Sequence, residues 1–161
     1  ETVCLEEKRT VTVHHDDPDA YAVIDFKSEL KAVNGHVELL GDPEHAGMQY
    51  RAAQDVAENK SARYTFHADG FDPKKDLDPP WVAMTCKMKD GDRYTVQHMN
   101  HPDNPAGTKY SAYRDYGRFG AFLEETLEDG ETLILLYRIR ITKGAAPPRE
   151  KLDKQYKAFA F

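Results

Sequence analysis

The chain has 161 residues, of which 40% are hydrophobic and 31% are charged, the balance of one domain with a buried core and a strongly hydrated surface. Its 28 acidic and 22 basic residues give a formal net charge of -6, which argues against a nucleic-acid backbone as the main partner. The longest strongly apolar run, Leu133–Leu136, is far shorter than the roughly 18 residues of a membrane span. The sequence therefore predicts no nucleic-acid partner and no membrane span.

The chain contains two cysteines, Cys4 and Cys86, too few for a disulfide-rich scaffold or a four-thiolate zinc site. They could pair if the protein is exported, and two free or separately buried cysteines are the open alternative. The first residue is Glu1, and no basic-then-apolar segment precedes it. We therefore expect a processed chain or part of a longer one.

Most of the chain has an apolar period of two, which predicts β-strands. Alternation at Thr10–His14 predicts the first strand, and the apolar run Tyr21–Phe26 predicts the second. The Asn34-Gly35 pair predicts a tight turn before a third strand at His36–Leu40. Further strands are predicted at Gly47–Ala53, at Arg63–His67, and in a hairpin joining Trp81–Met88 to Arg93–His98.

The clearest strand signal lies at Glu131–Thr142, where apolar residues share one face and the other face turns polar. After Pro147-Pro148, apolar residues at 152, 156 and 159 predict a short amphipathic helix opened by proline. We find no repeat and no linker. The predicted fold is a single all-β domain over residues 1–161, an antiparallel β-sandwich with one short C-terminal helix.

A polar turn lies between two predicted strands, in the segment Gly41–Arg51. It presents Glu44 and His45, which could form an acid–base pair because histidine titrates near neutrality and a carboxylate can orient it. Equally, both side chains could satisfy the backbone of the turn. Arg51 could hold a carboxylate or sugar hydroxyls through its forked donors, or it could brace loop carbonyls.

A second polar cluster begins where the predicted hairpin ends. His98 and His101 lie three residues apart, a spacing that could ligate a divalent metal on a helix, but prolines at 102 and 105 argue against a helix. A metal stays an open alternative, and no other cofactor is expected. His101 is also a candidate catalytic residue, and Asn104 is a candidate binding residue.

Basic and aromatic side chains follow in the segment 113–120. Arg114 could hold a substrate or brace a loop, as could Arg51. Trp81 and Tyr116 could form a surface on which a sugar ring stacks, while Trp81 could equally belong to the core. Phosphate-cradling glycine loops and serine-nucleophile elbows are absent from the sequence, so nucleotide chemistry and serine hydrolysis are poorly supported.

Taken in order, these motifs resemble the PmoA-like family of bacterial proteins, named from an automated "methane oxygenase" label. The resemblance runs from about Val11 to the C-terminus. The matching segments are Asp42–Gly47 with Gln49–Arg51, Trp81–Met84, His101–Pro105, Arg114–Phe119, Leu133–Arg138 and Tyr156–Phe159.

This resemblance implies an extracellular or periplasmic β-sandwich protein of carbohydrate metabolism, and not a true methane monooxygenase, which is a membrane enzyme. We expect a lyase or hydrolase acting on a glycoside or an oxidised sugar. Glu44, His45 and His101 would be catalytic, and the substrate would be held by Arg51, Trp81, Asn104, Arg114 and Tyr116. The alternative is a non-catalytic saccharide-binding or structural subunit of a larger extracellular assembly.

Members of the PmoA-like family are longer than this chain, and the matched motifs belong to their C-terminal portion. The resemblance therefore implies a supersandwich-like fold that is incomplete here. We expect either a companion chain that supplies the missing strands or a homo-oligomer closed through sheet edges. An enzyme would also require the loops that carry His45 and His101 to meet at one end of the sandwich, with Arg51 and Arg114 beneath them.

Overall fold

A computed structural model describes residues 2–161, which form three layers: a large sheet, a layer of two smaller sheets, and a helix. The strands are β1 Leu5–His14, β2 Ala22–Ala32, β3 Val37–Leu39, β4 Met48–Arg51, β5 Arg63–Phe66, β6 Trp81–Lys87, β7 Arg93–Asn100, β8 Lys109–Tyr110, β9 Arg118–Phe122, β10 Glu125–Leu127 and β11 Thr132–Lys143. The helices are α1 Gln54–Asn59 and α2 Arg149–Ala160. The prediction of an antiparallel β-rich fold with one short C-terminal helix is confirmed.

The large sheet has six antiparallel strands in the order β1-β2-β11-β7-β6-β5. β11 lies in the middle of this sheet, between β2 and β7. In the register, Phe26 of β2 lies opposite both Val11 and Tyr137. The alternating apolar residues of β11 therefore face the inside of the sandwich, as the sequence predicted.

The second layer contains a three-stranded sheet, β4-β9-β8, and a two-stranded sheet, β10-β3. β3 and β4 pair with the consecutive strands β10 and β9, and the polar turn of residues 40–47 interrupts them. Two glycines allow this close pairing. A Cβ on Gly47 would lie 2.0 Å from the carbonyl oxygen of Ala121, and a Cβ on Gly120 would lie 2.1 Å from that of Met48.

The main core lies between these two layers and contains Tyr110, Phe119, Met84, Val96 and Tyr137, all of them buried. On the opposite face of the large sheet, α2 forms the third layer. Its residues Leu152, Tyr156 and Phe159 pack against Trp81, Ala83 and Met99, so the predicted apolar stripe is the face by which this helix binds the sheet.

Sequence reasoning missed several short elements. β8, β9 and β10 are each two to five residues long, and α1 lies in a segment for which no helix was predicted. Cys4 is exposed and Cys86 is buried, and both are free thiols, which answers the open question of a disulfide. Within residues 2–161, no helix combines the length and the apolar character needed to cross a membrane.

Candidate functional site

The turn before β4 is built around Asp42. One oxygen of its carboxylate, Oδ1, accepts hydrogen bonds from the backbone N–H groups of Glu44 (2.6 Å) and His45 (2.9 Å). These two donors hold the pKa of the Asp42 carboxyl below its usual value. Nδ1 of His45 lies 3.2 Å from the same oxygen. The ring of His45 is therefore oriented by Asp42, and the side chain of Glu44 has a different partner.

That partner is Arg114, from the loop between β8 and β9. Its Nη2 donates to Oε1 of Glu44 (3.0 Å), and its Nη1 donates to the carbonyl of Pro43 (3.2 Å). The guanidinium also lies over the ring of Tyr113, 4.7 Å from the centroid, and the side chain is only 10% exposed. We call Pro43, Glu44, Tyr113 and Arg114 the Arg114 cluster. Nη1 and Nη2 of Arg114 thus each donate one hydrogen bond within the protein, and Arg114 holds the turn in place.

Arg51 and Tyr116 lie in the same layer as the Arg114 cluster. Arg51 is the exposed last residue of β4 and pairs with Arg118 across the sheet. Tyr116 is also exposed, in the loop before β9. The described residues give Arg51 and Tyr116 no hydrogen bond through their side chains, so both remain available to a ligand.

His98 and His101 lie on opposite faces of the large sheet. His98 faces the sandwich core and is fully buried: Tyr110 donates its hydroxyl proton to Nδ1 (2.9 Å), and Nε2 donates to the carbonyl of Met48 (3.2 Å). The ring of His101 instead packs edge-on against Phe159 of α2, at 5.1 Å. The spacing of three residues therefore does not bring the two histidine rings together. Among residues 2–161, His, Cys, Asp and Glu side chains form no group of three or more that could hold a metal ion.

Two other predicted binding residues are structural. Trp81 is fully buried under α2, and its indole N–H donates to Asp153 (2.8 Å), so it offers no face on which a sugar can stack. The side chain of Asn104 extends the sheet beyond β7. It accepts from the backbone N–H of Leu136 (2.7 Å), and it donates to the carbonyl of Leu136 (2.8 Å) and to Asn100 (2.7 Å). Its hydrogen-bonding groups are already in use.

The predicted catalytic residues thus belong to two layers. Glu44 and His45 lie in the turn of the small-sheet layer, whereas His101 packs with α2 on the far side of the large sheet. Among the residues that the structure describes, no hydrogen bond, ion pair or ring contact joins these groups. The arrangement does not gather them around one reacting atom.

A second group of charges lies on the outer face of the large sheet, beside α2. Asp25 of β2 lies opposite Arg138 of β11, and Nη2 of Arg138 donates to Oδ2 of Asp25 (2.8 Å). Nε2 of His14 lies 2.8 Å from the same oxygen. Burial alone would raise the pKa of Asp25, but the hydrogen bonds from Arg138 and His14 lower it below its usual value. We call His14, Asp25 and Arg138 the Asp25 network.

A cavity of about 370 Å³ adjoins this network, and His14 and Arg138 line it together with Asp16, Asp17, Pro18 and Val23. Asp17 accepts from Nε (3.1 Å) and Nη2 (2.9 Å) of Arg140, whose side chain is largely buried. Phe159 lies 4.9 Å from the guanidinium carbon of Arg138, and the same ring contacts His101. His101 is therefore the one predicted catalytic residue that lies close to this network.

The cavity offers hydrogen-bond donors and acceptors at fixed positions. Arg138 supplies donors, while Asp16 and Asp17 supply carboxylate oxygens. Nδ1 of His14 has no hydrogen bond within residues 2–161, and Asp25 fixes the other nitrogen of that ring. Such an imidazole is oriented for proton transfer. Two carboxylates and one guanidinium line the cavity, and this excess of negative charge favours a neutral polar ligand over a simple anion.

Sequence reasoning missed the Asp25 network because its members come from three different strands. His14 and Asp25 are 11 residues apart, and Asp25 and Arg138 are 113 residues apart, so no local motif connects them. One signal was present. Arg138 and Arg140 lie on the more polar face of β11, the most regular strand. Charged side chains that are partly buried on a sheet face require partners.

Comparisons with known proteins give one result. No curated protein and no solved structure matches the chain. A family model does match, and it covers residues 1–157. Since this is almost the whole sequence, the chain belongs to DUF6807, a family of unknown function.

Proposed function

We propose that this protein is an exported protein of carbohydrate metabolism that binds a saccharide on the outer face of its large sheet. The observation that carries the proposal is the cavity beside the Asp25 network. There, Arg138 and His14, which Asp25 holds on the sheet, lie beside the carboxylates of Asp16 and Asp17 in the loop after β1, so donors and acceptors are close together. Neighbouring hydroxyls of a sugar both donate and accept hydrogen bonds, so they suit such a surface.

Two features support a saccharide over other polar ligands. The guanidinium of Arg138 is held by Asp25 before any ligand arrives, which lowers the entropic cost of ordering it on binding. Val23 and Pro18 give one wall of the cavity an apolar surface against which the carbon–hydrogen face of a sugar can lie. The resemblance of the sequence motifs to the PmoA-like family, which implies a role in carbohydrate metabolism, adds support.

The test uses a panel of neutral and uronate-containing oligosaccharides, measured by isothermal titration calorimetry. The variant His14→Gln should weaken the binding of a panel member at least tenfold, because it removes the ring that Asp25 orients. His36→Gln is the matched control, since His36 is an exposed histidine whose nearest acid, Glu38, lies 4.0 Å away, outside the cavity. Equal affinities of the two variants, or no binding across the panel, would overturn the proposal.

The second candidate function is catalysis on a glycoside or an oxidised sugar. It is favoured by the pairing of His14 with Asp25, in which one nitrogen of the ring is fixed and the other is free. Turnover of the panel by the unmodified chain separates an enzyme from a binding protein. In an enzyme of this kind, His14→Gln should abolish turnover and Glu44→Gln should leave it intact. The reverse pattern would place the chemistry in the turn that carries Glu44 and His45.

A further inference from the structure

β1 is an edge strand of the large sheet, paired with β2 on one side only. It is ten residues long, and residues 6–13 are all exposed. A strand of this length and exposure presents a row of backbone N–H and C=O groups that can pair with another chain.

The inward face of β1 is also uncovered. The side chains of Val11 and Val13 point to the same side as Phe26, toward the sandwich interior, yet Val11 is 56% exposed and Val13 is 49% exposed. A groove of about 380 Å³ opens next to them, between the two layers, and Leu5, Phe26 and Leu39 line it. The second layer therefore ends before it reaches β1.

Among registers centred on residues 7–9 of β1, the charges favour one. In a symmetric antiparallel pair, opposed residues lie on the same face of the sheet. The twofold axis therefore passes midway between the two copies of one residue. An axis at Glu7 would oppose two glutamates, and an axis at Arg9 would oppose two arginines. An axis at Lys8 places Glu7 of each copy opposite Arg9 of the other.

The register centred on Lys8 also pairs the apolar residues. It places Leu5 opposite Val11 of the second copy, and its continuation places Val3, which is 61% exposed, opposite Val13. The two Lys8 side chains meet on the outer face, where they are 78% exposed and can turn toward solvent or toward Glu29, 3.7 Å away. Opposite charges and apolar pairs across strands each stabilise such an interface.

We propose that two copies of this chain associate through their β1 strands, antiparallel and centred on Lys8, to form one continuous sheet of twelve strands from two sheets of six. Within each chain, Nε of Arg9 donates to Glu7 (3.0 Å), so both charged groups are already held on the inward face. In the dimer, Glu7 and Arg9 of one copy lie opposite Arg9 and Glu7 of the other copy. The exposed valines of each copy then lie against apolar residues of the other.

A charge exchange tests the pairing between chains. The unmodified chain should have twice the 18.3 kDa mass of one copy in light scattering after gel filtration. Arg9→Glu opposes carboxylates across the interface, and Glu7→Arg opposes guanidinium groups, so each variant alone should be monomeric. An equimolar mixture should restore the dimer, because opposite charges then face each other between chains, although each chain still carries like charges at positions 7 and 9.

The control is Arg63→Glu, the same charge change on β5, the opposite edge strand. It should leave the mass of the dimer unchanged, and circular dichroism should show that every variant is folded. A monomeric unmodified chain, or a mixture that stays monomeric, would overturn the proposal.

A cysteine crosslink tests the register itself. In a Cys4→Ser background, Lys8→Cys places two thiols opposite each other at the axis, and mild oxidation should give a covalent dimer. Thr10→Cys in the same background is the matched control, because Thr10 lies opposite Glu6 of the second copy and its two thiols would be far apart. Equal crosslinking of the two variants would show that the strands do not pair in this register.

Discussion

His98 shows how burial fixes the chemical state of one residue. Both nitrogens of its ring have partners inside the core, Tyr110 and the carbonyl of Met48. Burial lowers the pKa of His98 from 6.5 to about 4. The histidine is therefore a neutral part of the core at physiological pH, and it makes no contribution to acid–base chemistry at the surface.

This pKa predicts a pH dependence of stability. Between pH 6.5 and about 4, the unfolded chain binds a proton at His98 that the folded protein does not bind. The free energy of unfolding should therefore fall as the pH is lowered through this range, by about 3 kcal/mol at about 1.4 kcal/mol per pKa unit. Urea unfolding at a series of pH values measures it.

His98→Gln is the matched variant for that measurement, because an amide can accept from Tyr110 and donate to the carbonyl of Met48 without titrating. Between pH 6.5 and about 4, the free energy of unfolding of this variant should change less with pH than that of the unmodified chain. Parallel slopes in the two proteins would show that other groups cause the loss of stability.

At the scale of elements, the small-sheet layer depends on the close pairing of β4 and β9. A Cβ on Gly120 would lie 2.1 Å from the carbonyl oxygen of Met48, and backbone cannot move aside as a flexible side chain can. Gly120→Ala should therefore lower the free energy of unfolding by about 3 kcal/mol or more, as other severe steric changes do. Thermal or urea unfolding measures this loss.

The comparison for Gly120→Ala is Gly130→Ala. A Cβ on Gly130 would meet nothing within 4 Å, and its φ of +85° costs an alanine about 1–2 kcal/mol. Gly130→Ala should thus cost only the strain of a positive φ, whereas Gly120 has no positive φ and Gly120→Ala should cost only the clash. If the two substitutions destabilise the protein equally, the close approach of β4 and β9 is not what requires glycine at position 120.

The elements also differ in how far the sequence predicts them. β11 was predicted because its alternation is long and one of its faces is buried. The β6–β7 hairpin was predicted because a turn containing Gly91 joins two strand-like runs, although both faces of these strands are largely buried. The second half of β2 was missed because its outward residues are charged and its strand continues past the apolar run that marked it. β8 was missed because a two-residue strand carries no period at all.

The parts of the candidate site also differ in how far the sequence predicts them. The turn at Asp42–Gly47 was predicted because its residues are adjacent, and the structure confirms that it is a turn. The Asp25 network could not be predicted, because its geometry exists only after β2 pairs with both β1 and β11. The spacing of His14, Asp25 and Arg138 along the sequence does not indicate that they lie close together in the fold.

At the scale of the whole molecule, the position of β11 determines the order in which the fold can form. β11 contains residues 132–143, yet it lies between β2 and β7 in the middle of the large sheet. Before β11 is in place, β1 and β2 form a hairpin that no other strand of the large sheet holds. Joining β2 to β11 closes a loop of more than one hundred residues, as the 113-residue separation of Asp25 and Arg138 shows.

The central position of β11 therefore has a kinetic consequence. β11 follows the other ten strands in sequence but pairs with β2 and β7, so many contacts join residues that are distant along the chain. The protein therefore has a high contact order and should refold on the scale of milliseconds to seconds. A ribosome must release the chain through β11, up to residue 143, before the sheet can close, so the β1–β2 hairpin waits with both edges open during synthesis. Stopped-flow refolding followed by Trp81 fluorescence measures this time, since Trp81 is buried only when α2 docks after β11. Refolding within microseconds would show that the hairpin and the rest of the sheet assemble without waiting for their central strand.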